Sequence, residues 1–423
     1  MRAFIASIIG PVLRLALALF AAQAGFHGFT ASLPVALARA GFPNAEIGFI
    51  VGTAAVVQMP AALVAGMAID RLGGLRLFFV GTIAYATGAL VLLASGVERY
   101  TATGVLLAAR MLQGVGIAAV IPSALSLVPA LVTRERQGFG LAFMGSAHNL
   151  TMGVLPPLSL AILAASSMRG VALFVLGAIG LAMIFAAGIR KRLVGEPTST
   201  IAGAAAPGSG VRRFGFVYSS AWTSPLVLTV LFAAHWGVIV AYLPQRAEAV
   251  GADIGLFFAA DAFAIFASRV PTGWLADRVP TRWLLLVGIA ITLASLAFLL
   301  PQPSTALLVV AGVGTGIGGG FVVSPTLLEF ARRSGPADRG SAFALFSVAF
   351  AAALSIGSIG GAPIVTLGGF EPALLAGMAA LGAAGLLTML DPSLRVSRQA
   401  AAHHEALVGP AVDSPGMVEV PPA

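Results

Sequence analysis

Five ionisable side chains stand in the middle of stretches otherwise built from apolar residues: His27, Arg110, His148, His235 and Asp261. Their chemistry divides in two. A histidine, or an aspartate withdrawn from water, can take up and release a proton near neutral pH. An arginine keeps its charge and holds a carboxylate or phosphate through paired hydrogen bonds, which a lysine cannot match. Gln113 and Asn149 can add donors and acceptors, and Trp236, next to His235, offers a flat aromatic wall. The chain lacks the pairs that bond-making chemistry needs. It has no cysteine, hence no thiolate nucleophile, disulfide or thiolate metal site. Asp261 has no second buried acid to work with, and Ser146 lies two residues from His148, on another face of a helix. No phosphate-binding G-x-x-x-x-G-K-[ST] loop is present. Gly314, Gly316 and Gly319 match G-x-G-x-x-G, but without the preceding strand that a dinucleotide site requires. These residues point to handling of protons and solutes rather than to an enzyme, and no cofactor is implied.

The elements that position them are membrane helices. The chain is 58% hydrophobic and 9% charged, with a mean hydropathy of +0.98, more apolar surface than a water-soluble domain can hide. A bilayer core of roughly 30 Å takes about 20 apolar residues in a helix. Twelve such spans are expected, near 15–38, 46–68, 77–97, 102–128, 138–165, 170–189, 224–243, 253–275, 283–300, 304–330, 340–366 and 372–390. Arg2 and Ala22-Gln23-Ala24 imitate a cleaved signal peptide, but Pro11 and Arg14 interrupt the apolar run, and it continues past the site.

The 24 basic residues set the orientation. With the N-terminus in the cytoplasm, only Arg39, Arg99, Arg169 and Arg246 fall outside, and Arg14, Arg110 and Arg269 lie within spans. All the others, among them Arg71, Arg76, Arg190, Lys191, Arg192, Arg212, Arg213, Arg278 and Arg282, fall inside, which places both termini in the cytoplasm. The net charge of +8 therefore reads as orientation, not as nucleic-acid binding. The expected domains are 1–190, a first six-helix bundle; 191–223, a cytoplasmic linker rich in small residues; 224–392, a second bundle; and 393–423, a disordered cytoplasmic tail carrying His403-His404.

Counted at about 1.5 Å per residue, His27, Arg110 and Asp261 sit roughly 18 Å from the inner face, His235 about 17 Å and His148 about 15 Å. The five therefore reach nearly one level, on spans one, four, five, seven and eight. An arginine there costs at least about 2.5–3.5 kcal/mol unless it meets a cavity or a partner. Asp261 is one possible partner, leaving an uncharged pocket with Trp236 stacking an apolar ligand. The other reading is that Arg110 holds an acidic group of a substrate. Gly312, Gly316 and Gly320 recur on one helix face and suit close helix packing.

Two turns complete the pattern. Gly66 to Asp70 and Arg71 forms G-x-x-x-D-R between spans two and three. Gly273, Asp277 and Arg278 repeat it between spans eight and nine, 207 residues later. Span four carries R-x-x-Q-G-x-G-x-A as Arg110, Gln113, Gly114, Gly116 and Ala118. In this order, with twelve spans, the chain resembles the major facilitator superfamily over about residues 15–390.

The resemblance implies an all-α integral membrane protein of two pseudo-symmetric six-helix bundles that rock about a midplane site. It implies a secondary transporter, monomeric, embedded in the lipid bilayer of a bacterial inner membrane. Protons would be the coupling ion and a small organic molecule the cargo, with no nucleic acid as partner. Export is the expected direction; uptake of an organic acid is the alternative, and a non-transporting receptor is remoter for want of a large soluble domain. The two turns would be cytoplasmic latches, with Arg269 bracing the Asp277 turn. Two departures stand out. The basic pair usual after the second glycine of the first turn is replaced by Gly74 and Leu75. In span five, Gly145, Gly153, Pro156 and Pro157 do not form the antiporter pattern G-x-x-x-G-P-x-x-G-G.

Overall fold

The computed structural model describes residues 2–98, 100–131, 137–193, 218–276, 278–334 and 339–395. Those residues are helical almost throughout. In chain order the helices are α1 (Arg2–Ala22), α2 (Ala24–His27), α3 (Ser32–Arg39), α4 (Asn44–Leu72), α5 (Gly74–Ser95), α6 (Thr103–Leu131), α7 (Gln137–Ala165) and α8 (Met168–Leu193). The second half follows with α9 (Thr223–Ala249), α10 (Ile254–Ala276), α11 (Thr281–Ala297), α12 (Thr305–Arg332), α13 (Arg339–Ser355), α14 (Gly361–Gly368) and α15 (Phe370–Leu390).

Among the described residues, ten helical segments are long and apolar enough to cross a membrane. The 23-residue α10 and the shorter apolar α11 occupy the eighth and ninth expected positions. A helix is the natural form here, because it satisfies its own backbone groups where no water can. Large apolar side chains such as Phe49, Val64, Ile83, Leu173, Ile184 and Leu386 remain exposed on the bundle, as a surface solvated by lipid tails requires. The linker and the tail lie outside the described residues.

Two spans differ from the expected single helix. The first is broken at Gln23 and again over 28–31, giving α1, α2 and α3. Phe29 donates its N–H to the Phe26 carbonyl and Thr30 to that of His27, tighter bonds than the α-helical register, so the chain turns beside the two residues that carry Gln23 and His27. The eleventh is interrupted by a π-helical turn, Ile356–Gly360, between α13 and α14.

Glycines end helices where the chain must reverse. Gly41, after α3, has φ 85° and Gly251, after α9, has φ 68°. Both turns close the same way: the N–H of Gly41 bonds to Ala38 and that of Phe42 to Leu37, while Gly251 bonds to Glu248 and Ala252 to Ala247. Only glycine adopts this left-handed geometry without cost.

In packing, α5 lies against α6 and α8, α4 against α6, and α1 against α8 and α7. In the second half α12 packs between α10 and α11, and α9 lies against α13 and α15. The halves meet where α7 packs on α10, α4 on α13 and α14, and α3 on α9. The glycine face of α12 faces α10, as its spacing indicates: a Cβ at Gly312 would lie 2.5 Å from the Phe257 carbonyl oxygen, and one at Gly316 would lie 2.2 Å from that of Asp261.

Candidate functional site

Breaking the first span at Gln23 turns three side chains inward together. Gln23 Nε2 lies 3.1 Å from His148 Nδ1 on α7, and its Oε1 accepts from the Tyr85 hydroxyl on α5 at 3.3 Å. The His27 ring is buried, with its centroid 5.8 Å from that of His148, and neither of its nitrogens has a hydrogen-bond partner. Phe26 stands edge-on to His27 at 5.3 Å and lies under the Arg110 guanidinium, 5.4 Å from its centroid. Arg110 is 4% exposed. It donates one Nη to Gln113 Oε1 and the other, at 2.7 Å, to the Val51 carbonyl on α4, while its Nε–H has no partner.

From α10, Arg269 reaches across to the same group. Its Nη2 donates to Asn149 Oδ1 on α7 at 3.3 Å, next to His148 in sequence, and its Nε–H is buried without a partner. The side-chain amide nitrogens of Gln113 and Asn149 are also buried and unpartnered. Every acceptor oxygen of the three amides, Gln23, Gln113 and Asn149, is already engaged within the group. The group's spare side-chain atoms are therefore mostly donors, the exception being the His27 ring, whose neutral form offers one free acceptor nitrogen, and neither guanidinium has a carboxylate within 4 Å among the described residues.

The remaining two expected members stand apart. Asp261 faces α12, where Oδ1 accepts from the Thr315 hydroxyl at 2.8 Å. It forms no ion pair with Arg110, so the expectation that the two neutralise each other does not hold. His235 donates Nδ1–H to the Phe232 carbonyl of its own helix, and its backbone and Cβ lie against Gly377 of α15. Trp236 stacks on Phe257 at 6.1 Å and meets Phe258 edge-on at 6.2 Å, an aromatic wall between α9 and α10. The single layer of five expected from depth is thus divided. One group holds His27, Arg110 and His148 with Gln113, Asn149 and Arg269. In the second half, His235 and Trp236 are neighbours on α9, while Asp261 on α10 faces Thr315. Gln23, Tyr85 and Thr315 are partners that depth counting passes over. A tyrosine or glutamine far inside an apolar span is the same kind of signal as a histidine there.

Residues 15–251, and overlapping them 226–412, match the Major Facilitator Superfamily. The chain belongs to that family. As a member of the superfamily it is a multi-pass transporter of small molecules rather than an enzyme. Solved structures give the same fold over 91% of the chain. A peptide transporter of the POT type bound to sulfate superposes with a TM-score of 0.72 at 16% identity, covering 94% of that protein. A POT family transporter in complex with a thioalcohol-conjugated peptide gives 0.68 at 13% and 96%. The nucleoside transporter NupG gives 0.66 at 14% and 98%. Among curated proteins, none matches the chain in sequence.

The turns that carry the superfamily pattern are placed as follows. Gly66 and Asp70 lie in the last two turns of α4, and a Cβ at Gly66 would meet open space. Gly73, with φ 82°, ends that helix and lets α5 begin at once. Arg71 is exposed. In the second turn Gly273 is within the last turns of α10 and Arg278 is exposed, while Asp277 lies outside the described residues. Arg269, expected to brace that turn, is instead bonded to Asn149 of the first half. It sits two helical turns above the turn, where its side chain reaches α7.

Proposed function

We propose that this superfamily member exports a small organic molecule, anionic in preference to zwitterionic or neutral, in exchange for protons by alternating access. The unit 1–190 and the unit 224–392 act as pseudo-symmetric six-helix bundles joined by the 191–223 linker. The observation that carries the substrate class is the surplus of buried donors around Arg110, Gln113, Asn149 and Arg269. A donor-rich, carboxylate-free cavity favours a ligand that brings oxygen acceptors and negative charge. His27, His148 and Asp261 are the candidate proton carriers, and Trp236 is the wall for an apolar part of the solute. The similar solved structures include a transporter with a bound peptide conjugate and a nucleoside transporter, whose solutes are rich in acceptors, in keeping with this chemistry.

The test is flux into proteoliposomes under imposed proton gradients, with wild type and Arg110→Lys side by side. Lysine keeps the charge but loses the fork. Transport of carboxylate solutes falls at least about tenfold in Arg110→Lys, while uncharged analogues retain their rate. Efficient export of organic cations by both forms overturns the anion reading. Counterflow in vesicles of both orientations fixes direction. Accumulation with the proton gradient in right-side-out vesicles makes the chain an uptake symporter instead.

Both termini and the linker are placed in the cytoplasm, with Asp70 and Asp277 as latches on that face, on the strength of the basic-residue distribution. Because the native chain has no cysteine, single cysteines report topology cleanly. In intact cells an impermeant maleimide labels a cysteine at Ala45, exposed in the first turn of α4, and leaves one at Ser199 unlabelled. The reverse pattern inverts the topology.

A further inference from the structure

Arg110, buried, and Arg269, half-buried, are both cations within membrane spans, one from each half of the chain. A guanidinium cannot shed its charge. Withdrawn from water, it needs a counter-charge or a full set of acceptors. Arg110 has Gln113 Oε1, the Val51 carbonyl and the Phe26 ring, and its Nε–H is left over. Arg269 has Asn149 Oδ1, and its Nε–H is left over too. Neutral oxygens do not cancel the charge, and Asp261, the acid nearest in depth, is engaged with Thr315. The two arginines are connected by Phe26 under Arg110, His27 against Phe26 and His148 against His27, and then by the α7 backbone from His148 to the next residue, Asn149, which bonds Arg269. Along that run only donors or unpartnered ring nitrogens are free: His27 Nδ1 and Nε2, Gln113 Nε2 and Asn149 Nδ2.

We infer that Arg269 is a substrate-binding residue, the second arm of the site, and that the substrate class is an organic acid with two acidic groups, one for Arg110 and one for Arg269. The inference rests on the anionic reading of the site and narrows it. A mono-acid cancels one buried charge and leaves the other; a di-acid cancels both. Because the arms belong to different halves, such a ligand ties α6 and α10 together through itself and makes closure of the site depend on its presence.

The probes are linear dicarboxylates of roughly three to seven carbons and monocarboxylates of matched length. Their binding to the purified full chain is read by ligand-induced thermal stabilisation and by isothermal titration. Wild type binds at least one dicarboxylate more tightly than its monocarboxylate partner. Arg269→Gln weakens that dicarboxylate at least about thirtyfold and leaves the monocarboxylate within about twofold, because one buried charge pair is lost and the other kept. Arg269→Lys keeps the charge but loses the fork, so it weakens the dicarboxylate by less than Arg269→Gln does and leaves the monocarboxylate within about twofold. If mono- and dicarboxylates bind wild type equally, or Arg269→Gln weakens both alike, the two-group inference fails and the anionic reading stands. If no dicarboxylate of the panel binds while monocarboxylates do, the inference fails in the same way. If no acid binds and cations or neutral solutes do, both fail. A purely structural Arg269–Asn149 contact predicts lower thermal stability in Arg269→Gln with no change in the ratio of the two affinities.

Discussion

Leucine at Gly316 removes most folded protein from the membrane, whereas alanine at Gly319, three residues along the same helix, is tolerated. The two glycines are about 60° apart around α12, and Gly316 is the one set directly against the α10 backbone. A Cβ at Gly316 would sit 2.2 Å from the Asp261 carbonyl oxygen and 2.7 Å from the Ala264 Cβ. The first of these is backbone and cannot swing aside. A Cβ at Gly319 would come no closer than 3.8 Å to Ile265, an ordinary contact. Inserting carbons into a packed contact typically costs about 1–3 kcal/mol and occasionally more. The cost at Gly316 belongs at the high end, because α12 must move away from α10 as a body. That movement also stretches the 2.8 Å bond from Thr315 to Asp261, one residue from the clash. Within lipid no hydrophobic drive compensates, since helices associate through close packing itself. Membrane abundance and the melting temperature in detergent measure the effect. Gly316→Ala lowers the melting temperature and Gly319→Ala does not. Wild-type abundance and melting of Gly316→Leu would show that the α10–α12 contact contributes little.

Depth is legible in such a sequence, and rotation about the helix axis is not. Counting residues from the polar turns places Arg110, His148 and Asp261 at one level, because rise per residue is nearly constant. It does not say which neighbour each faces. Asp261 and Arg269 illustrate the difference. They are eight residues apart on α10, about 2.2 turns, so their side chains diverge by roughly 80°. One meets Thr315 of α12 in its own half, and the other meets Asn149 of α7 in the opposite half. The Gly312-Gly316-Gly320 face was readable because three small residues at i, i+4 and i+8 define a direction as well as a height. The break at Gln23 was not readable, since neither proline nor charge marks it. Nor was the π turn at Ile356–Gly360, whose glycines are as common in uninterrupted spans of this chain. The carbonyl of Val51, a partner of Arg110, carries no side-chain signal at all.

Leucine at Gly48 and asparagine at Asp70 stop transport from opposite ends of the cycle. At the end of the bundle marked by the Gly41 and Gly251 turns, the halves are joined. Arg39 of α3 pairs with Glu248 of α9 across the halves, and within the second half the Tyr242 hydroxyl of α9 donates to the Ser358 carbonyl in the π turn. Against that pair lies α4, at Gly48 and Gly52. A Cβ at Gly48 would fall 1.8 Å from Tyr242 Oη and 2.5 Å from the Ser358 carbonyl oxygen, and one at Gly52 would fall 2.5 Å from Ile359 Cγ1. All of these partners belong to the second half, so Gly48→Leu leaves the packing of α4 on α5 and α6 intact and blocks only the approach of the halves. With the termini in the cytoplasm, this is the outer seal. Asp70, at the other end of α4, is the proposed inner latch, and Asp70→Asn weakens the closed inner state through loss of its charge. Either change shifts a two-state balance, and about 1.4 kcal/mol suffices for tenfold. Transport by each variant is therefore expected to fall at least about tenfold while membrane abundance stays near wild type. The two are told apart with a reporter cysteine at Asn149, in the candidate site, and an impermeant reagent added to intact cells. Relative to the reporter alone, Gly48→Leu raises labelling and Asp70→Asn lowers it. Equal labelling in all three would remove the outer seal and the latch together. A parallel loss of abundance and transport in Asp70→Asn would reduce that aspartate to a helix cap that keeps the end of α4 and the start of α5 from fraying.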